Sequence, residues 1–282
     1  MEVTIRGTKI NIETAGRRKG DRPALVFVHG AGGDASLWGS QEKRLREETV
    51  LYRVELPGHG GSGGGGETEI RSYAGWVRQV LEDVLGEMPY IIAGHSMGGA
   101  IALDMAIEGN GGPAGMVLVA TGAKLGVTPV IFRLLEEDVE GFLTTIDRAA
   151  LGPGAPPDVR DTVVEGLRRC PPSVVHGDFT ACSRFDVRER LGEIRIPTLV
   201  VCGEEDHLTP ARYSEFLARN IAGARLEIVP GAGHMVMLES PEIVNRAIEG
   251  FLKETGFPGS GDSKRKTAQS KEGNSRSPGT GA

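Results

Sequence analysis

The chain has 282 residues, of which 39 % are hydrophobic, enough for one large α/β domain or two small ones. Its formal net charge of −6 argues against the basic surface of a nucleic-acid-binding protein and against electrostatic docking on anionic membranes. We therefore expect a small-molecule ligand, and neither nucleic acid nor membrane as a partner.

The cysteines and the N-terminal residues bear on the compartment. Cys170, Cys182 and Cys202 form an odd set without a CxxC motif or a histidine-partnered metal spacing. Residues 1–6 carry charges where a signal peptide needs an apolar stretch, and no apolar run approaches the roughly 18 to 20 residues that span a bilayer. These features predict a cytoplasmic protein without a metal site.

Eight apolar or alternating runs predict eight strands. From the third run onward most are continuously apolar and many are separated by helical patterns, as expected for parallel strands covered on both faces. The fold class is therefore α/β, with a mostly parallel eight-stranded sheet flanked by helices. The predicted strands are 3–5, 10–14, 25–28, 50–56, 90–93, 116–120, 198–202 and 226–229.

Two helices are predicted from their start signals. Thr209 before Pro210, and Ser240 before Pro241, each place an N-cap residue ahead of a proline at the first helical position. In the second helix, apolar residues recur at helical spacing over 243–252 and should pack on the sheet. A third helix, behind Gly99, is apolar nearly all round and should be buried.

More than seventy residues without a clear strand follow the sixth predicted strand. Helical patterns at 130–140, 142–150 and 159–169, interrupted by Gly and Pro, predict a helical cap inserted after strand 6 and lying over the C-terminal edge of the sheet. The predicted domains are thus a core of residues 1–121 and 191–257 and a cap of residues 122–190.

The last segment, 258–282, is rich in Gly and Ser and carries five basic residues against two acidic ones. Such a composition buries too little apolar surface to offset the ordering entropy, so this tail is predicted to be disordered. Binding of nucleic acid or of a partner by the tail is left open.

Two serines match the G-x-S-x-G pattern of a nucleophile elbow, Ser96 in 94–98 and Ser62 in 60–64. The elbow needs a strand that ends abruptly and a helix that begins at once, which exposes the hydroxyl above the sheet. Ser96 has this context, whereas Ser62 precedes a glycine run too flexible to start a helix. Ser96 is the predicted nucleophile.

Backbone N–H groups near Ser96 are candidates for an oxyanion hole. The free N–H groups at the start of the helix behind Ser96 favour negative charge, and the Met97 N–H is the first predicted donor. The glycine-rich turn after the third strand should supply the second donor, and the Ala31 N–H is the predicted group.

A serine nucleophile needs a base, and the positions of the histidines indicate which of them can supply it. His29 and His59 lie in turns before glycine and His95 adjoins Ser96, so structural roles are expected for them. His234 follows the eighth predicted strand, and a loop histidine there can reach over Ser96.

The carboxylate that orients the base should follow the seventh strand, where Glu204, Glu205 and Asp206 occur. Asp206 is preferred to Glu204 because the shorter side chain lies nearest the apex of the loop, although a solvated acidic turn is the plain alternative. The loop after the sixth strand offers no carboxylate before Glu136. The resulting chain order, Ser, Asp, His, is the order of α/β hydrolases.

Five stretches in this order resemble the α/β-hydrolase superfamily, in its small cap-bearing group of esterases and carbon–carbon bond hydrolases. The resemblance covers roughly residues 1–255, with Glu55 as a departure where aspartate is more usual; we expect this to affect loop packing and not chemistry. The stretches are His29-Gly30 with Trp38, Leu56-Pro57-Gly58-His59-Gly60, Gly94 to Gly99, Gly203 to Asp206 with Pro210, and Gly233-His234 with Glu239 and Pro241.

The resemblance implies an α/β-hydrolase fold and a Ser-His-Asp mechanism without metal or organic cofactor. The leading expectation is a carboxylic ester hydrolase for a small or medium acyl substrate. Cleavage of a carbon–carbon bond next to a ketone, in a dienol-type substrate, and ligand binding with negligible turnover are the alternatives. Whether the protein is a monomer or a homo-oligomer stays open.

Overall fold

The structure is a computed structural model that describes residues 1–109 and 111–255. It contains one eight-stranded sheet, and each strand overlaps one of the predicted runs. The predicted tail 258–282 lies outside the described residues, as do residues 256 and 257 of the predicted core. The strands are β1 (Glu2–Ile5), β2 (Thr8–Ala15), β3 (Ala24–Val28), β4 (Leu51–Val54), β5 (Tyr90–His95), β6 (Gly115–Val119), β7 (Thr198–Gly203) and β8 (Arg225–Val229).

The sheet order is β1-β2-β4-β3-β5-β6-β7-β8. From β4 to β8 every neighbouring pair is parallel, and β2 runs antiparallel to both β1 and β4. The loops after β3, β5, β6, β7 and β8 therefore leave the same edge of the sheet. The prediction of a mostly parallel α/β sheet is confirmed.

Helices cover both faces of this sheet, so every residue of β3, β5, β6 and β7 is buried. Within the described residues, no helix combines the length and the apolar character needed to cross a membrane. The helices are α1 (Gly39–Leu45), α2 (Ile70–Leu85), α3 (Met97–Glu108), α4 (Pro129–Glu137), α5 (Val139–Ala150), α6 (Pro157–Arg169), α7 (Pro172–Arg184), α8 (Ala211–Asn220), α9 (Val236–Glu239) and α10 (Pro241–Glu254).

The two faces of the sheet have separate cores. On one face, residues of α2 and α3 pack with Val26, Ile92 and Val200. On the other face, residues of α1 and α10 pack with the remaining strand positions. The predicted stripe of α10 is confirmed, because Val244, Ile248 and Phe251 are buried.

Four helices, α4 to α7, lie between β6 and β7, and we call them the inserted helices. The first predicted helix, 130–140, was too long: α4 ends at Glu137, and Asp138 caps α5 by accepting the Gly141 N–H at 2.9 Å. Helix α7 is absent from the prediction, because a proline pair such as Pro171-Pro172 commonly interrupts a helical pattern. Pro172 instead occupies the first turn of α7, where proline is well tolerated.

Candidate active site

Ser96 occupies a one-residue turn between a strand and a helix. Strand β5 ends at His95 and α3 begins at Met97. Ser96 itself has φ = 52° and ψ = −114°, and a positive φ is costly for a residue that has a Cβ. This is the strained elbow that the sequence predicted around Ser96 and not around Ser62.

Two glycines allow this turn to form. A Cβ on Gly94 would overlap the Gly98 carbonyl oxygen, and a Cβ on Gly98 would overlap the Val28 carbonyl oxygen. Strand β5, strand β3 and the first turn of α3 thus approach more closely than side chains permit. The absence of both Cβ atoms allows the start of α3 to lie beside the end of β3.

Asp206 and His234 meet at the same edge of the sheet. Asp206 lies in the loop after β7, His234 in the loop after β8, and His234 Nδ1 is 2.8 Å from Asp206 Oδ2. Both side chains are buried. Burial favours the protonated acid, but the adjacent His234 and hydrogen bonds from Thr209 outweigh it and lower the pKa of Asp206.

Thr209 is a residue whose role in the site the sequence did not reveal. Its N–H donates to Asp206 Oδ1 and its hydroxyl to Asp206 Oδ2, each at 2.8 Å, and the hydroxyl oxygen is also 3.2 Å from His234 Nδ1. The prediction that Thr209 caps the next helix is wrong, because α8 begins at Ala211 with Pro210 at the N-cap position. Thr209 instead donates two hydrogen bonds to the Asp206 carboxylate.

Ser96 and His234 line one cavity of about 320 Å³. Within the described residues, no hydrogen bond joins the Ser96 hydroxyl to His234. Such bonds are often long or misaligned before substrate binds, and the serine hydroxyl turns about a single bond. The structure thus brings Asp206 and His234 into contact and places Ser96 with His234 at one cavity wall.

The two predicted oxyanion donors also belong to this region. Ala31 lines the cavity beside Gly30 and Gly32, and its N–H has no acceptor among residues 1–109 and 111–255. The Met97 N–H opens α3, where a helix leaves its first N–H groups without acceptors inside the helix. Two backbone donors are therefore placed next to the Ser96 turn.

His95 supports the backbone of His234. Its ring lies 4.7 Å from the His234 ring, centroid to centroid, and its Nε2 is 3.1 Å from the His234 carbonyl oxygen. Burial, reinforced by the neighbouring His234, lowers the pKa of His95 to about 3. The neutral ring therefore donates its Nε2–H to that carbonyl, which agrees with the structural role expected for it.

The inserted helices are joined to the loop that carries His234. The N–H groups of His234 and Met235 both donate to the Ala150 carbonyl at the end of α5, at 2.9 and 3.2 Å. Glu239 accepts the N–H of Gly233 at 3.1 Å and the N–H of Gly152 at 2.8 Å. Two backbone–backbone hydrogen bonds and the bond from Gly152 to the Glu239 carboxylate therefore join this loop to the insertion.

Glu55, the departure from the family pattern, ties two loops together. Its carboxylate accepts from the Ala35 N–H at 3.3 Å, from the Gly61 N–H at 2.6 Å and from Asn11 Nδ2 at 2.9 Å. Among the described residues, no hydrogen bond or ion pair joins Glu55 to Ser96, Asp206 or His234. This is the packing role expected for it.

Comparison with known proteins identifies the family of this chain. The model of the alpha/beta hydrolase family matches residues 25–247. The chain is 31 % identical over 255 residues to a dihydrolipoyllysine-residue acetyltransferase component of an acetoin cleaving system from Pseudomonas putida, covering 82 % of this chain but only 63 % of that protein. It thus spans less than two thirds of this relative.

Two further comparisons concern esterases. The chain is 30 % identical over 236 residues to a pimeloyl-acyl-carrier-protein methyl ester esterase from Vibrio atlanticus (strain LGP32), covering 76 % of this chain and 88 % of that protein. A solved structure described as a thermophilic esterase matches with a TM-score of 0.80 and 32 % identity, covering 91 % of this chain and 98 % of the other. With its sheet order and the match over most of its length, the chain belongs to the alpha/beta hydrolase family and is a hydrolase of the esterase-like type.

Proposed function

We propose that the protein is a serine hydrolase that cleaves a neutral carboxylic ester through Ser96, His234 and Asp206. The observation that carries this proposal is the strained Ser96 turn facing the same cavity as the hydrogen-bonded His234–Asp206 pair. Ester-hydrolysing relatives of similar length support the reaction type.

In the proposed mechanism His234 Nε2 takes the proton of the Ser96 hydroxyl while its oxygen attacks the acyl carbonyl. Asp206 fixes the tautomer with the proton on Nδ1 and stabilises the imidazolium that forms. The Ala31 and Met97 N–H groups bind the oxyanion, and each such donor is worth about 3 kcal/mol. His234 then protonates the leaving alcohol, and water repeats the sequence on the acyl-enzyme.

The cavity lining indicates the substrate class. Its wall is largely apolar, and the lining residues include no Lys or Arg. A carboxylate on the acyl group would lose its hydration without gaining a cationic partner, which is costly. A volume of about 320 Å³ lies at the small end of ligand pockets. We infer an uncharged acyl group of small or medium size.

The inserted helices contribute much of this wall, through residues such as Ile146, Leu167 and Phe179. This supports dividing the chain into a core of residues 1–121 and 191–257 and a cap of residues 122–190. The cap would then set acyl-chain selectivity while the core carries the reacting groups.

The test is labelling with a fluorophosphonate, followed by an ester series of increasing acyl length. We expect labelling of the wild-type protein at Ser96, loss of label in Ser96→Ala, and a fall in kcat on the order of 10⁴-fold or more. Ser62→Ala is the matched control, because Ser62 is the other serine with the same sequence pattern. This substitution should leave labelling intact.

Two results would contradict the proposal. A protein that is labelled but turns over dienol-type ketones and not esters is a carbon–carbon bond hydrolase. A folded protein that is not labelled and hydrolyses no ester is a ligand-binding member of the family.

A further inference from the structure

Asp178, in the inserted helix α7, is fully buried and accepts hydrogen bonds from three parts of the core. Its Oδ2 lies 2.8 Å from both the Gly32 N–H and His59 Nε2, and its Oδ1 accepts the Tyr73 hydroxyl at 2.5 Å. A buried carboxylate with three donors is costly to form and costly to disturb. One of the donors belongs to the turn that carries Ala31.

That turn is fixed from both sides of Ala31. The Gly30 carbonyl accepts from the Gly33 N–H at 3.1 Å and from His29 Nδ1 at 2.8 Å. Because a peptide group is planar, fixing the Gly30 carbonyl also fixes the direction of the Ala31 N–H. The next peptide group, between Ala31 and Gly32, is fixed through the Gly32 N–H, whose acceptor is Asp178.

The two ring nitrogens of His59 strengthen this arrangement. Nε2 faces Asp178, and Nδ1 lies 3.0 Å from the Pro57 carbonyl oxygen. Since both partners are acceptors, each nitrogen donates a proton and the ring is positively charged. His59 and the Asp178 carboxylate thus form a buried ion pair, and the Gly32 N–H donates to the same carboxylate oxygen. Hydrogen bonds to a carboxylate are charge-assisted and stronger than neutral ones.

We propose that Asp178 is a positioning residue of the oxyanion hole, supplied by the inserted helices and acting through the Gly32 N–H on the orientation of Ala31. The inference rests on the proposed function, since it assumes that Ala31 binds the oxyanion. It goes further in making the insertion a structural part of the catalytic site as well as a wall of the acyl pocket.

The experiment compares Asp178→Ala and Asp178→Asn with two controls, after the wild type has been shown to be labelled at Ser96. Tyr73→Phe removes another hydrogen bond to Asp178 but spares the bond to Gly32. Asp161→Asn removes an exposed carboxylate of α6. All rates are expressed per site titrated with the fluorophosphonate, so that an unfolded fraction does not count.

We expect Asp178→Ala to lower kcat about 10- to 100-fold with little change in KM, because part of the contribution of one oxyanion donor is lost. Inhibition by a trifluoromethyl ketone, whose adduct with Ser96 is an oxyanion, should weaken in parallel. Asp178→Asn keeps a neutral acceptor and should lose about threefold in kcat. Tyr73→Phe and Asp161→Asn should keep the wild-type kcat and inhibitor affinity.

If Asp178→Ala does not fold, the comparison of Asp178→Asn with Tyr73→Phe still tests the proposal. The proposal is overturned if the Asp178 variants lower the melting temperature but leave kcat per site and ketone affinity at the wild-type values, as a merely structural role requires. It is also overturned if Tyr73→Phe loses as much kcat as Asp178→Asn. Absence of label on wild-type Ser96 would instead refute the proposed function.

Discussion

Asp206 Oδ2 lies 2.8 Å from His234 Nδ1, although 28 residues separate the two along the chain. Replacing Asp206 with Asn should lower kcat about 10⁴-fold, because the amide favours the wrong imidazole tautomer. Glu204→Gln is the control, since Glu204 is the other candidate carboxylate of the same loop. Steady-state kinetics on a neutral ester measures both. An equal loss in the two variants would remove Asp206 from its proposed role.

Thr209→Val keeps the shape of the side chain but deletes the hydroxyl that donates to Asp206. The lost hydrogen bond to a charged group is worth about 1.5 to 3 kcal/mol in stability, and the carboxylate should shift against His234. We expect kcat to fall about tenfold. Thr162→Val, which deletes an exposed hydroxyl of α6, should change neither kcat nor the melting temperature. A wild-type kcat in Thr209→Val would argue against this support of Asp206.

Two Gly→Ala substitutions should change the free energy of unfolding in opposite directions. In Gly98→Ala the new methyl group meets the Val28 carbonyl, so we expect a loss of at least about 1 to 3 kcal/mol in the free energy of unfolding. In Gly250→Ala the methyl group enters open space on α10 and should add about 0.5 to 1 kcal/mol. Urea denaturation gives both values. Equal effects would contradict the close approach at the elbow.

The buried His59–Asp178 pair predicts a dependence of stability on pH. Burial opposes the charged ring, but Asp178 outweighs it and raises the pKa of His59 to about 10, against about 6.5 in the unfolded chain. The folded protein then binds this proton more tightly. The stabilisation is complete below pH 6.5 and is lost as the pH rises toward 10.

Urea denaturation between pH 7 and 9.5 tests this dependence. The free energy of unfolding should fall over that range by more in the wild type than in His59→Gln. Parallel pH profiles of the two proteins would show that His59 is neutral in the folded state.

The preferred acyl-chain length should depend on the size of the proposed acyl pocket. Ala149 on α5 lines the cavity, so Ala149→Phe should shift the preferred ester toward shorter acyl chains and lower kcat/KM for longer ones. Thr144→Phe places the same side chain on an exposed position of the same helix and should leave the chain-length profile unchanged. A profile that does not move in Ala149→Phe would locate the acyl group elsewhere.

The fold and the candidate reacting groups could be predicted because they leave local signals in the sequence. Buried parallel strands appear as apolar runs, and parallel strands bring the loops after them to one edge, which is how Ser96, Asp206 and His234 could be grouped. The pattern at 94–98 also predicted the strained turn. These features depend on neighbours in sequence or on the direction of strands.

The supporting contacts could not be predicted in this way. The bond from Gly32 to Asp178 joins residues 146 positions apart and leaves no periodicity. Thr209 has the pattern of a helix cap because Thr-Pro is common at helix starts, but it binds Asp206 three residues earlier in the same loop. Its contact with His234 forms only where the loops after β7 and β8 meet. Helix α7 was hidden by a proline pair that can either break or begin a helix.

The bonds from the His234 and Met235 N–H groups to the Ala150 carbonyl limit how this enzyme can open. The end of α5 cannot swing away unless those bonds break or the backbone of the base moves with it. A lid that rose as one piece would thus take the imidazole from its carboxylate, and the exposed state would be inactive. In the proposed mechanism, catalytic competence and coverage of the acyl group are accordingly coupled by the backbone N–H groups of His234 and Met235.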